Sequence, residues 1–235
     1  MPDERQSPEP PVITLQLGGL RLTGIAALVG LLVLLALIVG LVVWFRSALR
    51  WSPLWISAAL WIGFILYWSA AAKGASAART SESASSRALH QNLLNISLLL
   101  LFLRVPGLTG RWLPSGAGPV LAGLALHAGS ALLAVWARRH LGRHWSGAIT
   151  AKVDHELVRT GPYRLVRHPI YGAMLGMYLG TALVSGEWHA VLALAMVTAA
   201  YARKVRLEER HLRQVFGEEY DRYRVMSWAV IPGLF

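Results

Sequence analysis

The chain has 235 residues, 55% of them hydrophobic and only 15% charged, with a mean hydropathy of +0.46, which is more apolar than a soluble globular domain. It contains no cysteine, so disulfides and thiolate chemistry are excluded. The net charge of +11 would suggest nucleic acid in a soluble protein, but a positive-inside bias in a membrane protein accounts for it, and no nucleic-acid partner is expected.

In chain order, "MPDERQSPEP" is polar, mixed in charge and Pro-rich, and does not read as a cleavable signal. Residues 1–23 are read as a flexible N-terminal tail that ends in "LQLGGLRL". The first span covers Gly24–Phe45 and carries no charge; the second covers Leu54–Ala72, with Trp55, Trp61, Tyr67 and Trp68 on it. Both reach the roughly 20 apolar residues that cross about 30 Å of hydrocarbon. Lys73–Arg87 is small and polar and reads as a loop. A third span lies within Ala88–Val105 and includes Asn92 and Asn95, which sit near the interface or bond to another helix. The fourth is Val120–Ala137. Residues 24–137 thus form a four-helix transmembrane region.

Residues 138–169 are charge-rich and hold no span. Two shorter apolar runs follow, Ile170–Ser185 and Trp188–Ala202, separated only by Gly186 and Glu187, which predicts a tight helical hairpin. The remainder, from Arg203, is charged and amphipathic. Residues 138–235 form the candidate catalytic region. The expectation is an all-α membrane protein with about six transmembrane helices, a C-terminal helical hairpin and a cofactor pocket on the cytosolic side. If residues 138–169 are cytosolic and the spans alternate, 19 of the 23 Lys and Arg lie on the cytosolic side and 4 opposite. That bias puts both termini in the cytosol.

The chemistry is concentrated in "GPYRLVRHPIYG", Gly161–Gly172, at the mouth of a span. Gly161 and Pro162 make a turn. Pro169 pushes His168 towards an extended backbone and suits the first turn of a helix. The free N–H groups of that helix start favour an anion such as a carboxylate. Gly172, Gly176 and Gly180 line one face, where a helix or a flat ligand can approach closely. Downstream, "RKVRLEERHLRQVFGEEYDRY" sets Lys204 and Glu208 at i,i+4 and Arg206 and Glu209 at i,i+3. His127 and His189 are read as structural.

"DHELVRTGPYRLVRHPIYG" followed by "RLEERHLRQVFGEEYDRY" resembles the isoprenylcysteine carboxyl methyltransferase family, with phospholipid methyltransferases in the wider group. The likeness covers about Trp145 to Phe235. It implies a membrane-embedded methyltransferase that uses S-adenosyl-L-methionine. By the same resemblance the cofactor is held by His155, Glu156, Leu157 and Val158, by Tyr163, by His168, Pro169, Ile170 and Tyr171, and by Glu208. A substrate-contacting arginine of the eukaryotic members corresponds to Lys204, which keeps the charge but lacks the bidentate fork. Lys204 and Arg167 are the candidate catalytic residues. No metal site is expected. The implied partners are membrane lipids and a lipophilic or prenylated substrate drawn from the bilayer.

Methyl transfer to a carboxylate or thiolate needs positioning and exclusion of water. An amine or hydroxyl acceptor needs a base, with His155 or His168 nearest. The acceptor implied by the resemblance is a carboxylate, as in isoprenylcysteine; a lipid amine and a small thiol are the alternatives. A sterol-type membrane reductase using NADPH is a second reading, since it has a similar turn and a similar "IPG" ending. A channel or transporter would need ionisable groups in mid-span, and the first two spans contain none.

Overall fold

The computed structural model describes residues 14–17, 20–23, 52–72, 82–142 and 157–233. The chain divides into two units, Met1–Ser52 and Pro53–Phe235. In the first, β1 (Thr14–Leu17) and β2 (Leu20–Thr23) pair antiparallel, Leu17 opposite Leu20 and Thr14 opposite Thr23. This hairpin stands within the residues 1–23 read as a tail, at Thr14–Leu17 and Leu20–Thr23, and adds two strands to the all-α expectation. The cause is local: "TLQLGGLRLT" alternates in polarity around Gly-Gly, a two-residue hairpin signal. The expected span Gly24–Phe45 lies outside the described residues.

The second unit is helical. Helix α1 (Leu54–Ala72) coincides with the second expected span. Its inward stripe is Ser57, Trp61 and Phe64, while Ile56, Ile62, Ile65 and Leu66 are exposed. Helix α2 (Ala84–Phe102) starts four residues before the expected span, because Ser83 caps it by accepting from the Ser86 N–H at 3.2 Å. Asn95 accepts from Gln91 on the same helix, 2.9 Å away, and bonds to no other helix among the described residues. Helix α3 (Ala117–Leu141) contains the fourth span. Arg138, in its last turn, donates to the Ala71 carbonyl at 3.0 Å and ties α3 to the end of α1.

Helix α4 (Pro169–Ser185) packs along α3 through small residues. A Cβ built on Gly180 would lie 2.6 Å from the Gly123 carbonyl oxygen, and one on Gly176 would lie 2.2 Å from Ser130 Oγ. The glycine face is therefore a helix-packing face. At the core, Trp61 Nε1 donates to Thr181 Oγ1 (3.1 Å), and Thr181 also meets His127 Nδ1 (3.2 Å). Ser97 and Tyr178 share a hydroxyl contact of 2.9 Å that joins α2 to α4. His189 Nδ1 lies 2.7 Å from the Leu100 carbonyl, so both His127 and His189 are structural.

Gly186, at φ +64, ends α4, and Glu187 precedes α5 (Trp188–Phe216). The hairpin turns where the sequence places it. Its tip is docked on the α2–α3 connection: Arg104 pairs with Glu187 at 2.7 Å, and Trp188 N–H donates to the Gly110 carbonyl. Helix α5 does not stop at Ala202. It continues for 29 residues, about 44 Å at 1.5 Å per residue, because nothing in "RKVRLEERHLRQVF" breaks a helix before Gly217. A short helix, α6 (Glu218–Val225), follows.

Two of these helices are long and apolar enough to cross a membrane, over Leu54–Ala71 and Ala117–Leu141, with Pro169–Ser185 a shorter apolar helix. Only 17% and 28% of the two longer apolar stretches is buried. Leu121, Leu132 and Trp136 on α3 are exposed, as are Ile62 and Leu66 on α1. Apolar faces of this extent suit lipid rather than water.

Candidate active site

Pro169 is the first residue of α4, and His168 sits at the N-cap without capping through its side chain. The turn before it is pinned by the end of the chain. Arg167 N–H donates to the Trp228 carbonyl (2.8 Å), His168 N–H to Ala229 (2.9 Å), and Trp228 N–H to Leu165 (3.0 Å). Gly172 leaves room for this return, since a Cβ there would lie 2.9 Å from the Val230 carbonyl.

Three side chains of the turn meet the glutamate pair on α5. Tyr171 OH donates to Glu208 Oε1 at 2.6 Å. His168 Nδ1 is 3.4 Å from Glu208 Oε2, and its Nε2 is 3.6 Å from Glu209 Oε1, an ionic contact rather than a hydrogen bond. Nε2 is buried without a hydrogen-bond partner. Arg167 Nε donates to Glu209 Oε1 at 2.8 Å. The imidazole of His168 stacks on Tyr171 (ring centroids 5.4 Å apart, 3° between planes), and Tyr171 lies against Tyr201 at 4.7 Å.

The electrostatics follow from this placement. Burial acts to lower the pKa of His168, but the facing carboxylates of Glu208 and Glu209 outweigh it and the net shift is upward. Burial likewise acts to raise Glu208 and Glu209. His168, with Tyr171 at Glu208 and Arg167 at Glu209, holds both below the usual carboxylate range. The contacts within the cluster thus favour the charged form of each of the three groups.

Tyr163 is buried in the 3-10 turn Gly161–Arg164. Its hydroxyl reaches the Ala137 carbonyl (3.4 Å), its carbonyl accepts from Tyr223 OH (2.5 Å), and its ring stacks on His140. Gly161 needs its φ of +60 and its missing side chain, since a Cβ would meet the His140 ring at 2.6 Å. Ile170 packs with Tyr163 and Ala137, and Val158 lies against them. Leu157 is half-buried at the start of this segment. His155 and Glu156 lie outside the described residues.

Arg167 and Lys204, expected as catalytic, are both held in ion pairs. Arg167 is buried and also donates to the Arg224 carbonyl (3.2 Å) and to the carbonyl and hydroxyl of Ser227. Lys204 pairs with Glu82, not Glu208: Nζ lies 2.7 Å from Glu82 Oε2, with both side chains under 5% exposed. Glu209 is held by Arg167 and Arg224 (3.4 Å) rather than by Arg206. Sequence reasoning missed Glu82, which it assigned to a loop, and Tyr201. Tyr201 and Glu208 are seven residues apart on one helix, a spacing that puts them on the same face. Glu82 carries no local signal.

The phospholipid methyltransferase family model matches residues 119–219. The chain is 32% identical over 94 residues to a protein-S-isoprenylcysteine O-methyltransferase of Schizosaccharomyces pombe, covering 39% of this chain and 40% of that protein. It is 30% identical over 148 residues to protein-S-isoprenylcysteine O-methyltransferase A of Arabidopsis thaliana, covering 62% of this chain and 73% of that one. A solved eukaryotic intramembrane Ras methyltransferase, isoprenylcysteine carboxyl methyltransferase, superposes with a TM-score of 0.46 at 22% identity, over 66% of this chain and 55% of that chain. The chain spans about two-fifths of the length of the yeast relative. These methyltransferase relatives do not favour the reductase reading. The extent of the Arabidopsis match decides the kinship: the chain belongs to the isoprenylcysteine carboxyl methyltransferase family.

Proposed function

We propose that the protein is a multi-pass integral membrane methyltransferase that uses S-adenosylmethionine and methylates a carboxylate on a lipophilic acceptor, with its active site facing the cytosol. The observation that carries this reading is the joining of Tyr171 and His168 to Glu208 at the open start of α4. Support comes from the family's methyltransferase members and from the acceptor in the relatives' names, isoprenylcysteine.

The residues present fit the cofactor. Glu208 is a carboxylate suited to a cationic group. The N-terminus of α4 lacks a side-chain cap, which suits the cofactor's carboxylate. Tyr163, Ile170 and Val158 supply apolar wall, with Leu157, Pro169, His155 and Glu156 completing the set that the family resemblance assigns. When bound, S-adenosylmethionine supplies a methyl group whose transfer breaks one S–C bond, forms one bond to the acceptor and leaves a neutral thioether.

A carboxylate acceptor needs no proton removed, whereas an amine does. His168, the described histidine of the turn, is already engaged by Glu208 and Glu209, so it is poorly placed to take a proton from an amine. That favours the carboxylate over the lipid amine. Arg167 acts as a positioning residue that joins the turn, Glu209 and the chain end. Calorimetry of purified protein in detergent should show S-adenosylmethionine binding and no NADPH binding, and labelled cofactor should methylate a prenylated cysteine. Binding of NADPH alone would refute the proposal.

A further inference from the structure

The end of the chain presents an apolar face that lies outside the apolar helices. In α6 the inner side is Tyr220 and Tyr223, both buried. The outer side is Arg222, Val225 and Met226, spaced by three and four residues and so on one face. Val225 is 89% exposed and Met226 70%. Trp228 and Ile231 follow and are also exposed, and Leu165 joins them at 66%. Leu165 is held beside Trp228: its carbonyl accepts from the Trp228 N–H at 3.0 Å, and Val166 forms a bridge with Trp228.

The place of this face in the fold is set by α4. The Val230 carbonyl lies against the first turn of that helix, where a Cβ on Gly172 would come within 2.9 Å of it. Helix α4 is apolar from Pro169 to Ser185, so the exposed side chains stand at the level where it enters hydrocarbon. Tryptophan prefers the headgroup layer there, and a helix that carries apolar and basic residues outward lies in the plane of that layer. The charge fits as well. Arg164, next to Leu165, and Arg222, one turn before Val225 and Met226, are exposed and have no ion-pair partner among the described residues. Two acids of α6 are occupied, Glu219 by Arg159 and Asp221 by Arg213, each at 2.9 Å. The third, Glu218, lies a full turn before Arg222, away from the apolar residues.

We propose that this face docks on the cytosolic leaflet of the same bilayer, with its apolar side chains in the headgroup layer and Arg164 and Arg222 on anionic lipid headgroups. The proposal rests on the membrane reading and adds an interaction surface to it. Arginines without partners beside apolar side chains complement an anionic lipid surface, and the face adjoins the start of a membrane helix. The docked segment also holds the site: Trp228 and Ala229 accept from the Arg167 and His168 N–H groups, so the leaflet steadies the turn that carries His168.

The chain has no cysteine, which allows single labelling sites. Met226→Cys and, as a reference on the exposed side of α3, Leu132→Cys each carry an environment-sensitive fluorophore. The full chain is reconstituted in vesicles of phosphatidylcholine, with or without phosphatidylglycerol, that contain nitroxide-labelled lipid. The Met226 probe should be quenched most by a nitroxide at the headgroup, and the Leu132 probe by one deep in the acyl chains. The docked-to-free ratio at Met226 should be about tenfold higher in the anionic vesicles, since each arginine near such a surface adds to the attraction. Arg164→Gln together with Arg222→Gln should remove most of that difference. A Met226 probe left unquenched while the Leu132 probe is quenched overturns the docking and leaves the membrane reading standing; no quenching at either position removes both. A Met226 probe shielded from aqueous iodide yet unquenched by lipid means that protein, a second copy included, covers the face, and overturns the proposal. Equal quenching in the two vesicle types, or a lipid dependence that survives loss of both arginines, overturns it too.

Discussion

Lys204 Nζ lies 2.7 Å from Glu82 Oε2, joining residues 122 positions apart in a site that is almost closed to solvent. Burial acts to raise the Glu82 pKa, but Lys204 and Ser86 hold it below the usual range. Removing one member strands a buried charge, whereas replacing both with apolar groups does not.

Lys204→Met and Glu82→Leu should therefore each destabilise the protein by about 3–5 kcal/mol, and the double variant should recover most of that loss. Thermal unfolding in detergent of the four proteins gives the cycle. Additive losses would mean the pair is not coupled. Loss of activity in Lys204→Met alone says little about the substrate, because that variant also leaves Glu82 unpaired.

His168→Ala, Tyr171→Ala and Glu208→Ala should each weaken S-adenosylmethionine binding by about 1–3 kcal/mol, the cost of losing a hydrogen bond to a charged partner. Calorimetry checks this. Wild-type affinity in all three would place the cofactor elsewhere.

Gly180→Ala should loosen the α3–α4 contact, because the new Cβ lies 2.6 Å from the Gly123 carbonyl oxygen and 2.7 Å from the His127 backbone nitrogen. Neither neighbour is a flexible side chain, so overpacking of about 1–3 kcal/mol is expected. Gly129→Ala, on the same α3, meets nothing within 4 Å and should leave the melting temperature at or slightly above wild type. Equal effects of the two substitutions would contradict the close approach.

Much of this architecture was legible because its determinants are local. The bounds of α1 follow from apolar length alone, and Gly161, Pro169 and Gly186 mark turns that any reading of backbone preference finds. The meeting of Tyr171 with Glu208 was reachable only through family resemblance, since the two are 37 residues apart. The Lys204 partner was misassigned for a physical reason. Lys204 and Glu208 have ideal helical spacing, but an exposed i,i+4 pair gains only about 0.3–0.5 kcal/mol, and both groups found buried partners instead. The hairpin at residues 14–23 shows the opposite failure, a plain local pattern overlooked beside a strong apolar run.

His168 gives a pH dependence with a definite sign. Its pKa in the folded state is raised, so its contribution to stability is complete below the ordinary value of about 6.5. It is lost as pH rises through the folded value. Glu208 and Glu209 are depressed, so their contribution is present above about 4.3 and is lost as pH falls through their folded values. The melting temperature should decline on the alkaline side of about pH 6.5, and His168→Gln should flatten that limb while keeping the acidic one. An alkaline limb unchanged by His168→Gln would assign it to another group.

The last prediction concerns the membrane. Helix α5 carries its charges from Arg203 onward, and the pinned turn, the glutamate pair and α6 all lie towards that end. The opposite end of the α4–α5 hairpin is docked on the α2–α3 connection through Arg104 and Glu187. If the hairpin crosses the bilayer, these two ends lie on opposite sides, and the 19 to 4 distribution of Lys and Arg expected for alternating spans predicts a cytosolic α6 side. Reporter fusions at the C-terminus and within residues 106–117 should therefore report opposite compartments, the C-terminal one cytosolic. If both report the same side, α4 and α5 do not cross as a pair; if they are opposite but inverted, the charge bias does not set the orientation of this chain.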